Sequence, residues 1–261
     1  MKKILFILPL VAVCFTSCEK NKGEEEWTDD SPIIQFKDPY FLNAVLEGGY
    51  RMGEGPNPID GGSDPWAGEE ENVDKNGDGQ ISEKEASVVE ALLVYDAGIR
   101  GMDEIKYFTA LEYLDCCLNQ LTSLDVSNNT ALTYLNCCLN QLTSLDVNNN
   151  TALTYLNCRD NQLTSLDLSS NTALTDLSCG ANQLTSLDVS SNTALTDLYC
   201  DANQLTSLDL HNNRLLERFY CRDNPLQRLI LYKYHILTDY SMENIESEYG
   251  DIIEYIIEYM E

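Results

Sequence analysis

Six oxygen-bearing residues recur at fixed intervals within one short acidic stretch: Asp74, Asn76, Asp78, Gln80, Ser82 and Glu85, with Gly79 at the sharp turn and Ile81 behind it. Hard oxygen donors at positions 1, 3, 5, 7, 9 and 12 of a twelve-residue loop can wrap one Ca²⁺, Gln80 acting through its main-chain carbonyl and Ser82 through a water. No second loop of this kind stands ready to pair with it, and the incoming segment Trp66 to Val73 is short and interrupted by Gly68. A sensor that opens and closes is therefore disfavoured. The expectation is a structural ion with the weak affinity of extracellular modules, a Kd on the order of 10⁻⁴ to 10⁻³ M.

A second set of candidates comes from a repeat. Units of 21 residues begin at Leu111, Leu132, Leu153, Leu174, Leu195 and Leu216 and follow one another without insertion. Such strict periodicity implies equivalent rungs of a stacked solenoid, in which no lone unit closes its own core. Each unit holds two Leu-x-apolar triplets with period two, Leu135-Asn136-Cys137 and Leu145-Asp146-Val147 in the second copy. The triplets predict short parallel strands on both faces, a concave sheet from the first halves and a convex one from the second, with Leu135, Cys137, Leu145 and Val147 pointing inward. The fold class expected is a β-rich solenoid of 21-residue units between two caps.

The positions that alternate with the inward ones should face outward. On the concave side they form one column of Tyr113, Tyr134, Tyr155, Asp176, Asp197 and Arg218. Beside it run Asp115, Asn136, Asn157, Ser178, Tyr199 and Tyr220, then Cys117, Cys138, Arg159, Gly180, Asp201 and Arg222. These columns vary where the core does not, and solenoids commonly bind through such a face. Tyrosines offer rigid amphipathic area suited to a protein or a glycan, although tyrosine also favours strands for its own sake. The candidate ligand-binding residues are Tyr113, Tyr134, Tyr155, Asp176, Asp197, Tyr199, Arg218 and Tyr220. Cys117 and Cys138 are adjacent outward residues, and the sequence leaves open whether they bond.

Two asparagine columns, Asn119 to Asn224 and Asn129 to Asn213, fall at turns whose backbone groups would otherwise be buried and unpaired. They are read as structural. Six cysteines, Cys116, Cys137, Cys158, Cys179, Cys200 and Cys221, share one inward position. Neighbouring rungs about 4.8 Å apart bring them close, but parallel Cβ vectors suit disulfide torsions poorly, so a ladder of free apolar thiols is expected. A zinc site lacks histidine support, since only His211 and His235 exist. Asp125, Asp146, Asp167, Asp188 and Asp209 form a convex ladder whose neighbours repel by about 0.9 kcal/mol in bulk water. Nearby Thr-Ser hydroxyls are expected to help hold them.

The flanks divide the chain further. Residues 33–110 read as an N-terminal cap: a helix opened by Pro39 and running to Glu47, a Gly/Pro-rich loop over 48–68, the acidic loop 74–85, and a helix from Ser82 to about Leu92. A degenerate rung follows, with Leu93, Tyr95, Ile99, Met102 and Ile105 at core positions. Residues 111–231 are the array. Residues 232–261 break the period and read as a C-terminal cap with a helix over Ser241 to Tyr249 and an extended Ile252 to Ile257.

At the start, Lys2 and Lys3 precede an apolar run, Ile4 to Val13, too short to span a bilayer. Residues 1–17 read as an export signal, and Phe15-Thr16-Ser17-Cys18 resembles a bacterial lipobox, with Cys18 the lipidated residue. Residues 18–32, with Glu24 to Glu26 and Asp29-Asp30, read as an acidic tether resembling the surface-export tags of Bacteroidetes lipoproteins. Loss of residues 1–17, which hold two lysines and no acid, takes the net charge from −27 to −29. Such a chain repels phosphate backbones and excludes nucleic acid as a partner. Membrane contact is expected only through the anchor.

Residues 111–231 resemble a short, helix-poor leucine-rich repeat domain of the type common in Bacteroidetes surface proteins, and residues 33–110 resemble the EF-hand-like calcium cap that precedes such arrays. The resemblance implies a noncatalytic recognition module, monomeric, lipid-anchored at the outer membrane and exposed at the cell surface. A protein ligand on the concave face is the first expectation. Glycan capture and a purely structural spacer are the alternatives. No enzyme constellation is present in the sequence.

Overall fold

The computed structural model of the chain describes residues 29–46, 72–232 and 253–256. The export signal, Cys18, most of the tether, the 48–68 loop and the Ser241 to Tyr249 helix lie outside these residues.

Four buried leucines in each of the first five units, Leu132, Leu135, Leu142 and Leu145 in the second copy, make the rungs stack. Seven parallel strands pair in one sheet: β1 (Ala91–Leu93), β2 (Tyr113–Asp115), β3 (Tyr134–Asn136), β4 (Tyr155–Asn157), β5 (Asp176–Ser178), β6 (Asp197–Tyr199) and β8 (Arg218–Tyr220). From β2 onward each residue pairs with the one 21 positions on, so Leu114, Leu135, Leu156, Leu177, Leu198 and Phe219 form one column. All six are fully buried, as are Cys116, Cys137, Cys158, Cys179 and Cys200. The six ladder cysteines are free thiols inside the stack.

A turn follows each strand, and there the chain enters the left-handed region at a residue that is not glycine. Asp96, Leu118, Leu139, Asp160, Ala181, Ala202 and Asp223 all have φ between 49 and 57°. That geometry costs about 1–2 kcal/mol for an L-residue, and in every case but Asp96 the asparagine that follows supplies the compensation. Asn140 donates to the carbonyls of Cys116, Cys137 and Cys138 at 3.0–3.1 Å, and its Oδ1 accepts from Leu121 N–H at 3.0 Å. Each such amide ties its own turn to the preceding rung. The second column also reaches back: Asn150 donates to Val126 and Asn129 carbonyls at 3.0 and 2.8 Å. The amide oxygens of Asn129, Asn150, Asn171 and Asn192 have no hydrogen-bond partner.

Three local expectations need correction. The degenerate rung is shifted by one residue: Leu92 pairs with Leu114, so Leu92 and Val94 point inward, not Leu93 and Tyr95. The run Ala91 to Val94 is apolar throughout and supports either phase, and register with β2 decides. The helix after the acidic loop, α2, spans only Glu83–Ser87, because the chain must extend by Ala91 to pair in the sheet. Among the described residues, sheet pairing on the opposite face joins β7 (Ser207–Asp209), β9 (Arg228–Tyr232) and β10 (Ile253–Ile256) in parallel, with one further bridge between Asp125 and Asp146. On this face each ladder aspartate accepts from the N–H two residues on, as Asp146 does from Asn148 at 3.0 Å and Asp209 from His211 at 3.1 Å, an Asx turn. The same partners, Ser127, Ser169 and Ser190 among them, hold these carboxylates in place of the Thr-Ser hydroxyls.

In the cap, α1 (Pro39–Leu46) buries Phe41 and Val45. Phe41 packs on Phe36 and Phe108 with ring centres 5.2 and 6.2 Å away. Asp38 binds this helix to the degenerate rung. One of its oxygens takes the N–H of Tyr40 at 2.8 Å, and the other takes those of Arg100 and Gly101 at 2.7 and 2.9 Å. Burial works to raise its pKa, and these N–H groups outweigh it and hold the carboxyl below its ordinary value.

Candidate functional site

The outward columns of the seven-stranded sheet divide into two halves. Over the first three repeats, Tyr113, Tyr134 and Tyr155 stack face to face, with ring centres 4.0 and 4.2 Å apart and planes within 7°. In-register strands impose this spacing, because identical residues one rung apart have nowhere else to put their rings. Burial first, then the flanking rings of Tyr155 and Tyr113, push the Tyr134 phenol well above its usual pKa. The adjoining residues Asp115, Asn136 and Asn157 are nearly buried rather than presented to solvent. Asn136 donates to Asp115 at 3.1 Å.

Beyond Tyr155 the column turns charged. Asp176 and Asp197 take hydroxyl bonds from Thr175 and Thr196 at 2.7 and 2.8 Å, and Arg218 pairs with Asp197 through Nε. A second aromatic stack starts here in the neighbouring column, Tyr199 on Tyr220 at 5.0 Å. The structure therefore places all eight candidate residues on one sheet face, in two adjoining columns.

Two features of this face were not read from the sequence. Cys117 and Cys138 form a disulfide across neighbouring rungs, their Cα atoms 4.7 Å apart. Arg159 reaches two rungs along its column to Asp201 with paired bonds of 2.8 and 2.9 Å. Gly180 lies between them, and a Cβ there would collide with both side chains. The alternation Arg, Gly, Asp at 21-residue spacing is the signal that could have found this pair.

The acidic loop stands apart at the cap. Glu85 is fully buried. Its Oε1 accepts from Lys75 and Asn76 N–H at 2.9 and 3.3 Å, and its Oε2 accepts from Ser82 N–H at 2.9 Å, completing a capping box for α2. Asp74 accepts from Gly77 and Gly79 at 2.8 and 2.9 Å, and both glycines have φ above 70°, which permits that curl. Asp29 approaches the Ser82 hydroxyl from the preceding segment. The donor set is all hard oxygen and fits Ca²⁺ chemically. Its carboxylates, however, are turned toward the loop's own N–H groups, and among the described residues no three Asp, Glu, His or Cys side chains converge as a metal centre.

No family model and no curated protein matches the chain. Among solved structures it is similar to the functional domain of InlJ from Listeria monocytogenes, described as including a cysteine ladder, at 32% identity over 60% of this chain and 46% of that one, with a TM-score of 0.39. It is also similar to a leucine-rich repeat protein of Leptospira interrogans, at 23% identity over 59% of this chain and 45% of that one, TM-score 0.45. An internalin C2 of Listeria monocytogenes shares 20% identity over 85% and 94% of the two chains, TM-score 0.49. The chain spans about half the length of the first two. Its own 21-residue rungs, inward leucine columns and parallel sheet make it a leucine-rich repeat solenoid.

Proposed function

We propose that this chain is a noncatalytic recognition module that binds a protein ligand through the outward columns of its seven-stranded sheet. One observation carries the reading. Inward columns repeat leucine and cysteine almost without change, whereas the outward columns of the same strands pass from stacked tyrosine to carboxylate to arginine. A scaffold alone has no use for that variation, and large rigid side chains framed by charge suit a protein surface. The thiols offer no nucleophile: burial raises their pKa, to about 12 for Cys158.

The test is capture from host or envelope extracts by the wild-type protein and by a Tyr113→Ala/Tyr134→Ala/Tyr155→Ala variant. Loss of a captured protein, with the thermal melt unchanged, is expected. Equal capture by the variant would reject the face. The tyrosine stack also favours a second reading, glycan capture, for which polysaccharide retention should vanish while protein capture persists.

The proposal includes export, a lipid anchor at Cys18 in the outer membrane, and display at the cell surface, so Cys18→Ser should release the protein from the membrane fraction. It includes a calcium ion in the cap, held by Asp74, Asn76, Asp78, the Gln80 carbonyl, Ser82 through water, and Glu85. That ion would clamp the loop and exchange the Glu85 N–H bonds for coordination. Calorimetry decides: heat of Ca²⁺ binding equal in wild type and Glu85→Gln would reject the loop.

A further inference from the structure

The acidic loop of the cap is not closed by its own residues alone. The segment ahead of α1 lies along it as a short strand: Ile33 and Ser82 form an antiparallel bridge, Ile34 N–H donates to the Ile81 carbonyl at 2.9 Å, and Glu83 N–H donates to the Pro32 carbonyl at 2.9 Å. Lys84 N–H reaches the Ser31 hydroxyl at 3.1 Å. Ile34 and Ile81 are both buried behind this seam. The loop has no second loop of its kind to pair with, and residues 31–34 pair with it instead, along its positions 8 to 11.

Asp29 stands at the end of the seam. Its Oδ1 accepts from Ser31 N–H at 2.8 Å, and its Oδ2 takes the Ser82 hydroxyl. That same hydroxyl lies 2.9 Å from Glu85 Oε2. A hydroxyl has one proton and cannot donate to both. Ser82 is 1% exposed and Glu85 fully buried, so two carboxylates converge where little water reaches, an arrangement that calls for a cation. The N–H groups of Lys75, Asn76 and Ser82 answer part of the charge on Glu85. Lys84 is exposed, and its attraction for Asp29 is screened by water.

Position in the loop gives the cation its identity. Ser82 is the ninth of the twelve residues, the vertex that such loops commonly fill through a water. A carboxylate touching the ninth side chain is placed to fill that vertex from outside the loop. Every donor gathered here is an oxygen, the set that a hard divalent ion such as calcium takes.

We propose that Asp29 is an additional carboxylate ligand of the calcium site, entering at the Ser82 vertex, so that the ion fastens residues 29–34 to the cap as well as closing the loop. The proposal rests on the reading of the acidic loop as a calcium site, and adds a ligand that the twelve-residue pattern does not contain. Calcium thereby sets the residue at which the chain from Cys18 first joins the cap.

The test is calorimetric titration of calcium chloride into the calcium-free full chain, as wild type, Asp29→Asn and Asp30→Asn. Asparagine at position 29 keeps an oxygen for the Ser82 hydroxyl and removes only the charge. Asp29→Asn should weaken binding about fivefold or more, because the charge count of the ligands tunes such sites. Asp30 is exposed beside it, and Asp30→Asn should weaken binding less than about twofold. Amide exchange over residues 29–36, read by peptide mass, should slow about tenfold between EDTA and saturating calcium in the wild type, and much less in Asp29→Asn. Should Asp29→Asn not fold, the wild-type exchange decides. Wild-type affinity in Asp29→Asn, an equal loss in Asp30→Asn, or exchange over 29–36 indifferent to calcium overturns the ligand and leaves the ion of the loop in place. Absence of calcium binding in the wild type removes the ion and the ligand together.

Discussion

Cys137 and Cys138 are neighbours in the chain and lie on opposite sides of one sheet. Cys137 belongs to a column of six free thiols within the stack, whereas Cys138 is joined to Cys117 on the preceding rung. Both columns repeat at the same rung spacing, so proximity alone does not decide which pair oxidises. The thiolate is the reactive species, and burial suppresses it in the inward column by raising the pKa well above its ordinary value at Cys137, Cys179 and Cys200. The inner side of the sheet is therefore chemically silent and repetitive. The outer side is where residues react, pair and vary.

The largest effect that could break this contrast is in thiol labelling. After mild reduction, alkylation of the native protein at pH 8, read by peptide mass, should modify Cys117 and Cys138 and spare the ladder. Cys158, with its pKa raised by burial to about 12, should react about a thousandfold more slowly than in the unfolded chain. Rapid native labelling of any ladder thiol would erase the distinction.

Next come the two asparagine columns, which are both inward yet bonded differently. Asn161 donates to the Cys137 and Cys158 carbonyls at 3.0 and 3.1 Å and accepts from Leu142 N–H at 2.9 Å. Asn171 donates to Val147 and Asn150 carbonyls, but its oxygen accepts nothing. Asn161→Ala should cost about 1–3 kcal/mol and Asn171→Ala about 1 kcal/mol less, measured by denaturant melts. Equal losses would mean that the buried N–H of Leu142 finds another acceptor.

The smallest effect sharpens the contrast at the edge of the tyrosine stack. Asp115 occupies a position held by Asn136 and Asn157 on the next two rungs. Burial raises its pKa despite bonds from Cys117 N–H and Asn136. A carboxyl whose folded pKa exceeds its unfolded one weakens the fold while charged, and that penalty fades as pH falls through the folded value toward the unfolded one. Asp115→Asn should accordingly raise the melting temperature slightly at pH 7, and its advantage over wild type should shrink toward pH 4. An advantage independent of pH would put the gain down to packing.

Much of the solenoid was legible because the repeat states its own geometry. A single 21-residue period placed the inward leucines, the ladder thiols and the turn asparagines of the array, and alternation separated the two sides of each strand. Reading failed where the period supplied two equally good phases, as in Ala91 to Val94. The left-handed turn residues were invisible for a different reason. Leu118 and Ala181 carry no compositional mark of positive φ, and only the asparagine after each gives them away. The eight candidate residues on the sheet face were readable as columns, but the Arg159–Asp201 pair needed contact across two rungs.

The uninterrupted 21-residue period has a genetic consequence. Because each coil meets its neighbours through the same inward columns, unequal recombination can delete or duplicate one whole copy in frame and still leave the leucine and asparagine columns of every remaining joint matched. Loss of the copy beginning at Leu132 would shorten the molecule by about 4.8 Å, remove one ring from the aromatic pile and deprive Cys117 of its disulfide partner Cys138, yet leave the coils around Ser178 as they are. Reach and selectivity can thus drift separately in such a protein, one by copy number and the other by point substitution.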